Sequence, residues 1–131
     1  MSRIRGTDTT PERSVRSVLH GLGYRFRLHD KTLPGRPDIV LRKYRTVIFV
    51  HGCFWHRHPR CKYAYSPKSR VSFWEKKFAR NVVRDQEIQR SVSEAGWRVI
   101  IVWECQTRNI EMLAHRLDNL LRGITSAGYE L

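Results

Sequence analysis

Residues 37–51 read PDIVLRKYRTVIFVH. Two short runs rich in β-branched residues, Asp38 to Leu41 and Thr46 to Val50, flank a basic link, Arg42-Lys43-Tyr44-Arg45. Branched side chains at this density favour strands, and a short polar link makes the two runs a hairpin at the centre of a sheet. A hairpin of this length sets Asp38 across from Val50 and His51. The same hairpin thus carries a carboxylate at one strand's start and an imidazole at the other's end.

The rest of the chain builds outward from this hairpin. Upstream, Leu33 to Pro37 (LPGRP) is a turn, and Tyr24 to Leu28 alternates apolar and basic residues as a strand does. Before it, Thr10 as cap and Pro11 in the first turn start a helix that carries Val15, Val18, Leu19 and Leu22. Gly21 and Gly23 end it. Downstream, residues 51–71 are loop-like. Ser72 is the expected cap of a long helix from about Phe73 to Ala95, stopped by Gly96. Trp97 to Trp103 predicts a strand buried on both faces. Residues 109–122 predict an amphipathic helix with Ile110, Leu113, Leu117, Leu120 and Leu121 on its apolar side. The fold class is α/β: one domain over residues 1–131, with a small mixed sheet flanked by helices.

Composition narrows the partners. The chain has 131 residues, of which 40% are hydrophobic, enough for a globular core. Its 25 basic and 12 acidic residues leave a net charge of +13, which suits a polyanionic partner. No run approaches the ~18 apolar residues of a membrane span. The opening MSRIRGTDTT lacks the apolar stretch of a secretory signal, so a cytoplasmic location is expected.

The three cysteines are an odd number for a disulfide framework, and two of them flank a histidine cluster in HGCFWHRHPRC, residues 51–61. Cys53, His58, Cys61 and Cys105 form a Cys₃His set, the donor chemistry of a structural Zn²⁺ site. Such a site would pin the loop to the end of the Trp97–Trp103 strand. His51 and His56 are left over. A neutral imidazole can take a proton from water at neutral pH, and a neighbouring carboxylate can fix its tautomer. Mg²⁺ held by a carboxylate such as Asp38 can neutralise a phosphate and help activate water. Glu12 is a candidate second carboxylate, and Asp85 a candidate partner for a histidine. Phe54 and Trp55 lie beside this loop, and an exposed aromatic pair is costly unless a ligand covers it. Residues 57–90 hold ten Lys/Arg against three acids, a pattern suited to phosphate contacts. Lys76, Lys77, Arg80 and Arg84 recur at helical spacing, and Asn81 is placed to read a base edge.

The motifs LPGRPD (33–38), VIFVHGCFWH (47–56), FWEKK (73–77), NVVRD (81–85) and GWRVIIVWEC (96–105) resemble those of the Vsr (very short patch repair) DNA mismatch endonucleases. The resemblance runs from about Thr7 to Cys105. It implies a restriction-endonuclease-like fold of the PD-(D/E)xK type with a structural zinc, although no acid-x-Lys follows here. It also implies a Mg²⁺-dependent nick 5′ to the T of a T:G mismatch in double-stranded DNA, the mismatch left when 5-methylcytosine deaminates. By the same resemblance Asp38 and the Val50 carbonyl would hold Mg²⁺. His51 and His56 would be catalytic, with His56 the general base, and Glu12 and Asp85 would support them. Phe54, Trp55 and Trp74 would form an aromatic wedge at the mismatch. Arg36, Lys76, Lys77, Arg80, Asn81 and Arg84 would contact DNA. A monomer is implied, with the mismatch-repair protein MutL as a partner. Two features depart from the family pattern. Two residues separate His58 from Cys61, one more than the familiar form, and only Met1 to Arg5 stand where longer members clamp the minor groove. The rival readings are a Vsr-like nuclease with another target and a non-catalytic, zinc-stabilised DNA-binding module.

Overall fold

The computed structural model describes residues 9–123; the Met1 to Arg5 clamp lies outside them. Among them the α-helices and strands follow in order: α1 (Thr10–Gly21), β1 (Arg27–Leu28), β2 (Ile39–Leu41), β3 (Thr46–His51), α2 (Val71–Glu94), β4 (Arg98–Trp103) and α3 (Ile110–Arg122). The four strands form one sheet in the order β1-β2-β3-β4. β1, β2 and β3 are antiparallel neighbours, and β4 runs parallel to β3. A parallel pair needs a long crossover, and here residues 52–97, including α2, supply it.

The hairpin forms as its sequence predicts, in the register Ile39↔Ile48, Val40↔Val47 and Leu41↔Thr46. Its link is a single 3₁₀ turn, Arg42–Tyr44, closed by Arg45 in the left-handed region (φ +50°). Alternation sorts the hairpin's side chains to two faces. Ile39, Leu41 and Ile48 join Val15, Leu19, Leu113 and Leu117 beneath α1 and α3. Val40, Val47 and Phe49 meet Val92 of α2 on the opposite face. The sheet is therefore a middle layer between helices.

Several expected boundaries move. Thr9, rather than Thr10, caps α1, and its Oγ1 accepts from the Glu12 N–H at 3.3 Å. The expected strand Tyr24 to Leu28 shrinks to Arg27–Leu28, because Tyr24 and Phe26 turn in to pack on the core instead of pairing. α2 starts at Val71 without a side-chain cap; Arg70 enters it in the left-handed region, so Ser72 lies inside the first turn. β4 is fully buried on one face only, at Ile100 and Val102. It lies at the sheet edge, and Val99 and Ile101 are partly covered by the α2 side.

The turn before the hairpin is tight for a reason. Gly35 has φ +72°, and a Cβ there would lie 2.3 Å from Ile88 of α2. No side chain fits, so the LPGRP turn can press against α2 and present Arg36 and Asp38 to the same cleft.

Candidate active site

Asp38 immediately precedes β2, level with Phe49 of β3 by the register of the hairpin. Its Oδ2 accepts a hydrogen bond from the Val50 N–H at 2.7 Å. Burial pushes its carboxyl up to about 6, against the pull of that N–H; nearby Glu12 adds to the rise, and His29 and His56 oppose it. Glu12, on the first turn of α1, is almost fully buried. Its Oε2 meets His29 Nε2 at 2.6 Å and also Arg16. Donor atoms of Glu12, His29 and Asp38 all lie within 4.8 Å of one another.

The second group faces the first. His51 ends β3, and His56 stacks on it with ring centroids 3.9 Å apart and planes 7° from parallel. His56 Nδ1 meets Asp85 Oδ2 of α2 at 2.6 Å. His51 is buried, and its Nδ1 has no hydrogen-bond partner among the described residues. Burial lowers its pKa to about 4, helped by His56, so it is neutral at pH 7. His29, Arg36, Asp38, His51, His56 and Arg84 line one open cleft of about 360 Å³. The His56–Asp85 pair, His51, His29 and the Asp38 carboxylate thus share one open space, with Glu12 behind His29.

Cys53, His58, Cys61 and Cys105 form a third group, again with donor atoms within 4.8 Å. His58 Nδ1 lies 3.7 Å from Cys53 Sγ and 3.4 Å from Cys105 Sγ. Tetrahedral bonds of ~2.1 and ~2.3 Å place neighbouring N and S donors roughly 3.6 Å apart, so the set fits a zinc ion. Burial lowers the pKa of His58 and favours the neutral imidazole that a metal takes. Trp103 at the end of β4 stacks on His58 (4.2 Å) and meets His51 edge-on (5.2 Å). One indole therefore couples this group to the cleft.

Between these groups Phe54 and Trp55 turn onto α2. Phe54 contacts Trp55, Trp74 and Phe78, with centroids 5.1–5.7 Å apart. The Arg57 guanidinium covers Phe78 at 3.9 Å and donates to the carbonyls of Phe54, Ala64 and Tyr65. The pair expected to be exposed is instead half-buried in an aromatic platform, while Phe73 and Tyr65 at its edge are open to solvent. Lys77 Nζ sits over the Trp55 ring at 5.7 Å, and Asn81 Nδ2 donates to the Trp55 carbonyl at 3.2 Å. Asn81 thus positions the platform with a donor that was expected to read a base. Lys76, Arg80 and Arg84 are exposed on α2, which buries only Phe78 and Val92.

The structure brings Asp38, Val50, His51, His56 and Asp85 to one cleft, sets Glu12 behind it against His29, and gathers Cys53, His58, Cys61 and Cys105 into a separate group. His29 was missed in the sequence. It is a lone histidine in FRLHD, at the end of an edge strand, and nothing in its neighbours marks it. The register gives the only signal: Leu28↔Ile39 brings the next residue, His29, beside Asp38, whose carbonyl accepts from the His29 N–H at 3.2 Å.

Comparison with known proteins gives this cleft a context. The family profile described as DNA mismatch endonuclease Vsr matches residues 1–62. The chain is 49% identical to the type II nicking enzyme V.XorIIP of Xanthomonas oryzae pv. oryzae, over 92% of this chain and 88% of that protein. It is 42% identical to the type II nicking enzyme V.NmeAIP of Neisseria meningitidis, over 97% of this chain and 90% of that protein. It is 48% identical to the DNA mismatch endonuclease Vsr of Escherichia coli, over 86% of this chain and 72% of that protein. Identity at this level across most of both chains means that the protein belongs to the Vsr family of DNA-nicking endonucleases.

Proposed function

We propose that the chain nicks one strand of double-stranded DNA 5′ to the T of a T:G mismatch, using Mg²⁺ at the Asp38 cleft and Zn²⁺ at the thiolate group. The observation that carries this reading is Asp38, bonded to the Val50 N–H, sharing one cleft with the His56–Asp85 pair. Asp38 and the Val50 carbonyl would hold Mg²⁺, which supplies charge neutralisation for the phosphate and a more acidic water. Asp85 accepts from His56 Nδ1 and leaves Nε2 free to take the proton of the attacking water. His51, neutral and stacked on His56, fixes the plane of that imidazole. Arg36 and Arg84 at the cleft, with Lys76, Lys77 and Arg80, suit the flanking phosphates.

The aromatic platform gives the mismatch its role. Opening a base step costs a few kcal/mol and least at a mismatch, so insertion of Phe54, Trp55 and Trp74 favours mismatched duplex. The sheet is read as a restriction-endonuclease-like core in which His51 stands where an acid-x-Lys pair would be. The protein acts as a monomer, with MutL as a partner.

A strand-labelled nicking assay tests this, comparing a T:G duplex in varied flanking sequences with its T:A match. A single Mg²⁺-dependent nick 5′ to the mismatched T is expected. Asp38→Ala should lower the rate by more than about 10³-fold while DNA binding persists, since the metal supplies several kcal/mol of charge stabilisation. Tight, salt-sensitive binding without cutting would instead favour a binding module. A second reading, the same chemistry at another target, is favoured by relatives named as type II nicking enzymes. Equal cutting of matched and mismatched duplex would establish it.

A further inference from the structure

We propose that His29 is a third side-chain donor beside Glu12 and Asp38, making their site one that prefers nitrogen-accepting divalent ions such as Mn²⁺ or Co²⁺ over Mg²⁺. It rests on the reading of Asp38 as a metal ligand. The donor atoms of the three residues lie within 4.8 Å of one another. His29 Nε2 and Glu12 Oε2 are 2.6 Å apart. Neighbouring ligands of an octahedral ion at ~2.1 Å are about 3 Å apart, so the His29–Glu12 pair needs to open by only a few tenths of an ångström.

The alternative role, a counter-charge for buried Glu12, is already filled, because Arg16 meets the same Oε2. The backbone also holds His29 in place. Its N–H donates to the Asp38 carbonyl, and its φ is +48°. A non-glycine residue in that region is strained and persists only where its surroundings hold it. The His29 side chain is 20% exposed and lines the cleft, whereas Glu12 lies behind it at 2%. An incoming ion therefore meets the imidazole together with Asp38. Mg²⁺ favours all-oxygen shells and gives up water reluctantly, while an imidazole donor raises affinity for later divalent ions.

The test titrates MnCl₂ and MgCl₂ into the zinc-loaded full chain without DNA, by calorimetry. The wild type is expected to bind Mn²⁺ at least about tenfold more tightly than Mg²⁺. His29→Gln is expected to lose that margin with its zinc content unchanged. A Gln variant that keeps the wild-type Mn²⁺ affinity overturns the proposal. Should the variant fail to fold, electron spin-echo spectra of Mn²⁺-loaded wild type decide. Nitrogen modulation that disappears in Asp38→Ala is expected. Its absence from the wild type, or its survival in Asp38→Ala, which would assign it to the His51–His56 group, overturns the proposal. The two readings fail separately. An Asp38→Ala variant that still nicks defeats the proposed function. An inactive Asp38→Ala alongside a Gln variant with intact Mn²⁺ preference defeats only the role of His29.

Discussion

The thiolate group and the cleft group both draw on the same eleven residues, 51–61, yet they are opposites. The thiolate group offers four donors, which fills a tetrahedral shell and leaves no position for a substrate. The cleft group offers carboxylates and imidazoles around open space, so its ligands have room for water and a phosphate. The chain alternates between them. His51 serves the cleft, Cys53 the thiolates, His56 the cleft, and His58 and Cys61 the thiolates. A metal closing the first group would therefore fix the path of His56 in the second. Most of the cleft stands on regular elements, and His56, its residue on the loop, would take its precision from the closed group next door.

That relation can be broken from either side, with unequal results. Cys105→Ser removes the thiolate, a proposed zinc ligand, that would join the loop to the end of β4. It should release zinc, unfix His56 and Trp55 together, and bring nicking to background. The melting temperature should fall by roughly 6 °C or more, the equivalent of about 2 kcal/mol in a domain of this size. Metal analysis and a thermal melt measure both. Retained zinc with normal melting would show that three ligands suffice and that the coupling is weak.

Asp85→Asn attacks only the open side. Asp85 touches His56 and none of the thiolates, so zinc content and melting should stay at wild-type values. The amide no longer stabilises an imidazolium and can accept or donate to Nδ1. Nicking should fall about 10²-fold, the lower end of what a general base contributes. A single-turnover assay reads the rate. A full-rate Asn variant would take the His56–Asp85 pair out of the chemistry.

The sequence exposed these two groups unequally, for a physical reason. Cysteine has few uses in a chain with no disulfide framework, so Cys53, Cys61 and Cys105 with one histidine point to a site by residue type alone. The hairpin was equally plain, because β-branched runs have no good alternative to a strand. The cleft is assembled by register and packing. Its common residues, Glu12, Asp38 and Asp85, become distinctive only once α1, β2 and α2 meet. Their roles came from the family resemblance, and His29, which no motif carries, was missed. The cap at Thr9 and the uncapped start at Arg70 were also hidden, because which neighbour of a helix terminus leaves helical geometry depends on how the chain enters it.

Trp55 is where the comparison becomes sharpest, since it lies between Cys53 and His56 and belongs to neither group. Its ring contacts Phe54 and Trp74 and lies under Lys77, and its carbonyl accepts from Asn81. The backbone path that fixes His56 is thus held by the carbonyl, separately from the ring, which is the part proposed to meet the duplex. Trp55→Ala keeps the carbonyl and removes the ring. Zinc content should hold, and the cutting rate at saturating mismatched DNA should change only a few-fold. The preference for mismatched over matched duplex should drop about tenfold, or ~1.4 kcal/mol, a fraction of the cost of unstacking a base step. Competition of T:G and T:A duplexes in one reaction measures that ratio directly. An unchanged ratio would reduce the platform to a structural support for the loop, and mismatch sensing would then have to come from elsewhere in the chain.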